Sequence, residues 1–402
     1  MAGTSFRGFP PKVSSSYTAN IHPSTASIPA EVWNSLVPST NGVPDNPFLD
    51  HAFFLALEQS GCATGRTGWQ AQHILLSDES GKPVGLLPLF LKNHSMGEYV
   101  FDHGWANALE RAGGHYYPKI QGSVPFTPAT TPKLLVPSGS LEVQAALLQT
   151  AQQLAGRHDA SSVHLTFIPD AEWELAGSLG WLQRTDTQFH WHNQGFASFD
   201  EFLETLASRK RKMIRRERRE ALAAGLEVRW LSGSDLRETH WDAFYEFYED
   251  TGSRKWGRPY LNREFFSLLG QYMADRVVLM LAYDGHMPIA GAINFRAKDR
   301  LFGRNWGATR EVPFLHFEVC YYQAIDYAIA HKLAVVEAGA QGEHKLARGY
   351  EPVTMHSAHW IAHPGLRSAV ADFLEHERPS VEREQQMLEE FTPFRKGERQ
   401  DR

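Results

Sequence analysis

Residues 276–308, RVVLMLAYDGHMPIAGAINFRAKDRLFGRNWGA, constrain the fold more than any other stretch. Their apolar, strand-forming runs are separated by YDGHMP and AKDR, turn clusters short enough to join adjacent antiparallel strands. A helical segment, LHFEVCYYQAIDYAIAHKL, follows, and after it the strand AVVEAGAQ. The first half has the same grammar: AQHILLSDESGKPVGLLPLFLKN reads as two strands joined at DESGKP, LEVQAALLQTAQQLAGRH as an amphipathic helix, and SSVHLTFIP as the strand it feeds. QFHWHNQGF reads as a further strand of alternating aromatics, whereas FDHGWANALERAGGHYYPK reads as a loop. This order predicts an α/β (α+β) protein in two similar halves, with mixed, mostly antiparallel sheets flanked by helices.

At 402 residues the chain exceeds one ordinary core. We read a disordered extension over 1–28, one domain over 29–195, a second over 196–365 and a helical tail over 366–402. A net charge of −6 argues against a protein coated by nucleic acid, DNA in particular, while leaving room for a local basic patch. Two cysteines, Cys62 and Cys320, exclude a cysteine zinc site and fit a reducing compartment, so a cytoplasmic location is expected. No apolar run is long enough for a membrane span, and the N-terminus lacks the apolar core of a secretory signal. Its serine-rich composition, with no acid before Glu31, admits an organelle transit peptide as the alternative.

The sharpest charge feature is SRKRKMIRRERRE, 208–220, within a stretch read as one long helix over 199–223. Arg209, Lys210, Arg215, Arg216 and Arg219 project around a narrow apolar stripe. Arginine outweighs lysine, which favours paired contacts to phosphate. The bland alternative is a solvated charged face.

A second concentration of ionisable groups is EAGAQGEHKLARGYEP, 337–352, directly after a buried-looking strand. Its small residues, Gly342 among them, allow the main chain to approach a ligand closely. Glu337, Glu343 or His344 would accept a proton from an amine, and Gln341, Lys345 and Arg348 would hold a phosphate or carboxylate. The competing reading is a polar loop with local salt bridges. Tyr321 and Tyr322, on the preceding helix, are candidate acids toward a leaving group. Asp102, His103, Trp105, Tyr116, Tyr117 and Lys119 crowd one segment and read as a pocket wall. Lys255, Trp256 and Tyr260 in RKWGRPYL, and Arg304 and Trp306 in GRNWGA, complete the candidates. His190 and His192 share a strand face but lack a third ligand, so they read as a structural pair and no metal is expected.

Several long phrases, YVFDHGWANALERAGGHYYPKIQGSVPFTP, QFHWHNQGFASFDEFLETLASRKRKMIRRERR, KWGRPYL and GAQGEHKLARGYEP, resemble the FemAB-like, peptidoglycan biosynthesis or recognition group of the GNAT acyltransferase superfamily, related to the Fem peptidyltransferases. The resemblance spans about residues 30–365. It implies tandem GNAT-like domains and transfer of an acyl or aminoacyl group to an amine on a small molecule or peptide. Acyl-CoA is the favoured donor and aminoacyl-tRNA the alternative; no cofactor is permanently bound. The helical-hairpin arm of some Fem proteins is not evident, unless 199–223 replaces it, and the usual GNAT pyrophosphate loop is absent. The rival class is a non-catalytic protein that recognises a cell-wall precursor or tRNA.

Overall fold

The computed structural model describes residues 16–223, 225–256, 259–339 and 342–395. Strands in chain order are β1 (Thr18–His22), β2 (Ser39–Thr40), β3 (Val43–Pro44), β4 (Trp69–Ala71), β5 (His73–Ser77), β6 (Pro83–Leu87), β7 (Phe90–Lys92), β8 (Lys119–Gly122), β9 (Ser162–Ile168), β10 (Leu182–His192), β11 (Glu227–Leu231), β12 (Val277–Asp284), β13 (Met287–Arg296), β14 (Arg300–Ala308), β15 (Val335–Glu337) and β16 (Glu351–Ile361). Eleven of them form one sheet in the order β11-β12-β13-β14-β15-β10-β16-β9-β8-β7-β4. β12, VVLMLAYD, and β9, SVHLTFI, are buried almost end to end, as central strands covered on both faces must be.

Among the described residues, the parallel neighbours within this sheet are β8 with β9 and β14 with β15. Each pair is joined through a crossover helix, Leu141–Arg157 in the first half and Gln323–Ala330 in the second. The halves are therefore alike, as the repeated grammar predicts, but they are not simply tandem. β16, at the end of the second half in sequence, lies between β9 and β10, and β10 in turn pairs with β15. Each half thus lends a strand to the other, making one continuous sheet.

Three sequence expectations need correction. Within 1–28, residues 18–22 form β1, paired along its length with β5, because the polar segment supplies ladder partners to an otherwise open edge. The single helix over 199–223 is two helices, Phe199–Thr205 and Ser208–Ala221. Leu206, fully buried, pairs with Phe394, and the Ala207 N–H donates to the Pro393 carbonyl at 2.8 Å, so the C-terminal segment pulls the chain out of helical geometry. Residues 103–111, expected as loop, form a helix that buries Trp105, Ala106 and Leu109.

The tail is a helix, Pro364–Glu390, that packs Leu366, Val370 and Leu374 inward, and Glu377 clamps Arg184 through two bonds of 2.6 and 2.8 Å. Among the described residues no helix is long and apolar enough to cross a membrane.

Candidate functional site

The parallel pairing of β14 and β15 lasts three residues, Arg300 with Val335, Leu301 with Val336 and Phe302 with Glu337. Beyond that the strands part. A register irregularity between Ile293 and Asn294 of β13 marks the same point on the other side of β14. Gly303 sits in the fork: a Cβ there would meet Asn294 Oδ1 and the Glu337 carbonyl oxygen at 3.4 Å. Further along, a Cβ at Gly307 would overlap the Phe247 carbonyl at 2.0 Å, so the glycine lets the helix Glu238–Trp256 lie directly on the strand. The fork opens into a cleft of about 90 Å³, lined by Asn294, Gly303, Arg304, Trp306, Tyr321 and Ala338, with His316 and Cys320 on the helical side. A π-helical turn, Glu318–Tyr322, presents this helical wall.

Glu337 ends β15 and is 3% exposed. Its Oε1 accepts from Arg300 Nη1 at 2.8 Å, and its Oε2 lies 3.8 Å from His190 Nε2. Burial pushes the carboxyl up to about 7, against the opposing pull of Arg300. Burial also pulls the Lys345 ammonium down to about 7; its Nζ donates to the Gly339 carbonyl at 2.9 Å and so braces the loop after β15. The Tyr321 hydroxyl lies 2.9 Å from His344 Nε2, and burial raises its proton affinity.

Arg348 does not face the cleft. Its Nη2 bonds both carboxylate oxygens of Glu217 at 3.0 and 2.8 Å, its Nη1 donates to the His344 carbonyl at 2.7 Å, and its guanidinium lies 3.4 Å from the Phe317 ring centroid. Tyr322, the other candidate acid, donates its hydroxyl to Glu217. Glu217 therefore fastens the basic helix to the 343–350 segment. Arg218 adds a second tie, bonding Glu318 at 2.9 Å and Asp326 at 2.6 Å.

Arg218 belongs to the run read from sequence as a phosphate platform, whereas Glu217 was no candidate, yet a signal for it was present. Ile214, Glu217 and Ala221 stand at helical spacing and are the three buried residues of the helix, so a carboxylate interrupts its apolar stripe. The cations proposed from sequence point outward. Arg209, Arg215, Arg216 and Arg219 are exposed and Lys210 half-buried. Arg215 pairs with Asp200 at 2.8 Å and Arg216 with Glu220 at 3.5 Å, both on the open surface.

The pocket-wall candidates of the first half divide. Asp102, Tyr116 and Lys119 meet in a buried network: Tyr116 donates to Asp102 at 2.7 Å, and Lys119 bonds Asp102 at 2.5 Å and Glu98 at 2.6 Å. Trp105 packs edge-on against His359 with centroids 4.9 Å apart. Tyr117 bonds Ser95 at 2.8 Å, and His103 faces solvent. This network sits under β8, β9 and β16, apart from the fork. Arg304 spans toward it, donating to the Phe126 carbonyl, and Phe126 stacks on Tyr260 with centroids 5.0 Å apart. Gln341 lies outside the described residues, as do the side chains of Lys255, Trp256 and Glu343.

Solved structures of similar fold span nearly the whole chain. A crystal structure of FemX is 13% identical, covers 86% of this chain and 98% of its own, and superposes with a TM-score of 0.53. The C-terminal domain of a protein assigned as a lysylphosphatidylglycerol synthetase, from Agrobacterium fabrum, is 8% identical, covers 88% and 97%, and gives a TM-score of 0.51. No curated protein matches the chain. Residues 24–396 match the family described as peptidoglycan biosynthesis/recognition, and the chain therefore belongs to the FemAB-like family.

Proposed function

We propose that this chain is an N-acyltransferase, moving an acyl or aminoacyl group from an activated donor to an amine on a cell-wall precursor or a related small molecule. The observation that carries this reading is the fork between β14 and β15: a polar cleft opens there, and Glu337, the residue before the lining Ala338, carries a buried carboxyl pushed up to about 7. Where parallel strands part, their facing edges lose ladder partners, and main-chain N–H groups there are suited to a carbonyl that becomes an oxyanion. Glu337 takes the proton of the attacking nitrogen. Tyr321, coupled to His344, donates toward the departing sulfur or oxygen. Lys345 and Arg348 position the loop that carries these groups and do not grip the substrate.

Acyl-CoA is the preferred donor and aminoacyl-tRNA the alternative. The outward arginines of the helix Ser208–Ala221 supply a docking face for the phosphates of either. Both donors belong to the cytoplasm, and both cysteines are free thiols, so we place the protein there.

The test is a thermal shift with CoA, acetyl-CoA, aminoacyl-tRNA and a UDP-linked muropeptide, followed by assays of thiol or tRNA release. A donor that stabilises the protein by mass action and is consumed only when an amine is present supports the reading. Stabilisation without consumption points to the non-catalytic recognition class, and no response to any donor refutes the proposal.

A further inference from the structure

Side chains alternate across a sheet, so β10 and β15 present different residues to its two faces. Phe189, Trp191 and Val336 join the apolar core on the face covered by the helix Gln323–Ala330. His190 and Glu337, paired directly in register, therefore project from the opposite face. The cleft walls His316, Cys320 and Tyr321 stand on the helical side. Arg304, on β14 at the fork, lines both the cleft and a small crevice beside Phe126 and Leu261.

On adjacent, paired strands, His190 Nε2 and Glu337 Oε2 stand 3.8 Å apart, beyond direct hydrogen-bond reach. Neither atom has a hydrogen-bond partner among the described residues. The His190 side chain is 9% exposed and that of Glu337 4%. Leaving a polar group buried in this way costs about 1–3 kcal/mol. One nitrogen at an ordinary distance of about 2.9 Å from each atom would satisfy both.

We propose that His190 and Glu337 together form the receiving site for a primary amine, on the sheet face opposite the donor cleft. The inference rests on the acyltransferase reading for its chemistry but not for the binding itself. The ammonium donates one N–H to His190 Nε2 and one to Glu337 Oε2. One of these protons stays on Glu337, and the freed lone pair attacks an acyl carbon held at the end of the β14–β15 pairing. The C–N bond forms as the donor C–S or C–O bond breaks, the amide nitrogen sheds a second proton, and the departing thiolate or alkoxide takes one. Charged and titratable groups facing the pair are Arg300 and Asp299 next to Glu337, His192 on β10, Arg304 on β14 and Lys345 from the loop. Burial lowers the proton affinity of His190, so in the tautomer protonated on Nδ1 its Nε2 accepts the ammonium's hydrogen bond.

The test titrates ethylamine into the full chain labelled with ¹⁵N-histidine, with ethanol as control, and follows the ring nitrogens by NMR. Ethylamine should shift one histidine signal saturably, the signal absent from His190→Gln, and Glu337→Gln should weaken the response at least tenfold. Michaelis constants for the amine should rise at least tenfold in both variants, with the donor constant unchanged. If no wild-type histidine signal responds to ethylamine, or the response to ethanol is equal, the proposal is overturned; this readout does not require the variants to fold. A selective amine response without acyl transfer leaves this site intact and removes the transferase reading. Transfer with unaltered amine constants in both variants does the reverse.

Discussion

Breaking the Glu217–Arg348 pair should reveal how tightly the basic helix is bound to the site. Both side chains are 5% exposed, and bonds of 2.8 and 3.0 Å make each the other's charged partner, with Tyr322 also donating to Glu217 and Arg348 also donating to the His344 carbonyl. Removing one partner strands a buried charge, at a cost of about 3–5 kcal/mol. With unfolding entropy near 2.1 cal/mol/K per residue, the 402 residues give about 0.8 kcal/mol/K, so either single variant should melt roughly 4–6 °C lower if the chain unfolds as one unit. The double variant Glu217→Ala/Arg348→Ala strands no charge, leaving only the neutral Tyr322 hydroxyl and His344 carbonyl without these partners. It should cost about as much as one single variant, leaving a coupling energy of about 3 kcal/mol. Urea denaturation of the wild type, both singles and the double measures the cycle. Additivity within about 0.5 kcal/mol would refute the argument that these charges depend on each other.

Glu337→Gln should stabilise the protein at pH 8 and leave it unchanged at pH 5. A carboxyl raised to about 7 is ionised at a cost above that pH, and the 2.5-unit rise over 4.5 corresponds to at most about 3 kcal/mol; equal urea midpoints at pH 8 would contradict this. Acid should destabilise the fold. Burial lowers His73, His164 and His190 to about 3 and His359 well below its ordinary value, so the unfolded chain binds protons that the native chain refuses as pH falls below 6.5. Each histidine costs about 2 kcal/mol at pH 5, and the opposite response of Glu337 and Glu172, raised to about 7 and about 6, offsets about half of the total. A urea midpoint at pH 5 no lower than at pH 7 would count against it. Reversing Arg215, Arg216 and Arg219 to glutamate should leave melting within about 1 °C, because these side chains are exposed, while flattening the salt dependence of donor binding. An unchanged salt slope would remove the helix from the docking surface.

The sequence made legible what local chemistry decides. Turn clusters at 78–83 and 283–288 marked hairpins that the structure contains, and AVVE does end where the pairing of β14 and β15 stops. Long-range contacts hid the rest. Nothing in residues 351–361 announces that the strand crosses into the other half, because insertion between β9 and β10 is decided by which edge is open once both halves have folded. The helix break at Leu206 and Ala207 has neither proline nor glycine to signal it; it is made by residues 393 and 394, nearly 190 positions away.

The same separation explains why the cations of the basic helix drew attention and its single buried carboxylate did not. Charge density is visible in a run of letters, whereas burial is a property of the face that a residue occupies. An arginine on the surface gains at most about 1 kcal/mol from a neighbour, so most of the run is thermodynamically free to serve a ligand. Glu217 has no such freedom, since its carboxylate is enclosed by Arg348 and Tyr322. His190 and Glu337 form the opposite case: they too are enclosed, but each keeps a polar atom that no described residue satisfies. Apolar side chains of similar volume would fill that space without the desolvation cost. A pair that bears the cost and leaves the bonds unmade is arranged for a visiting group, and this distinguishes the charges that hold the protein together from those available for chemistry.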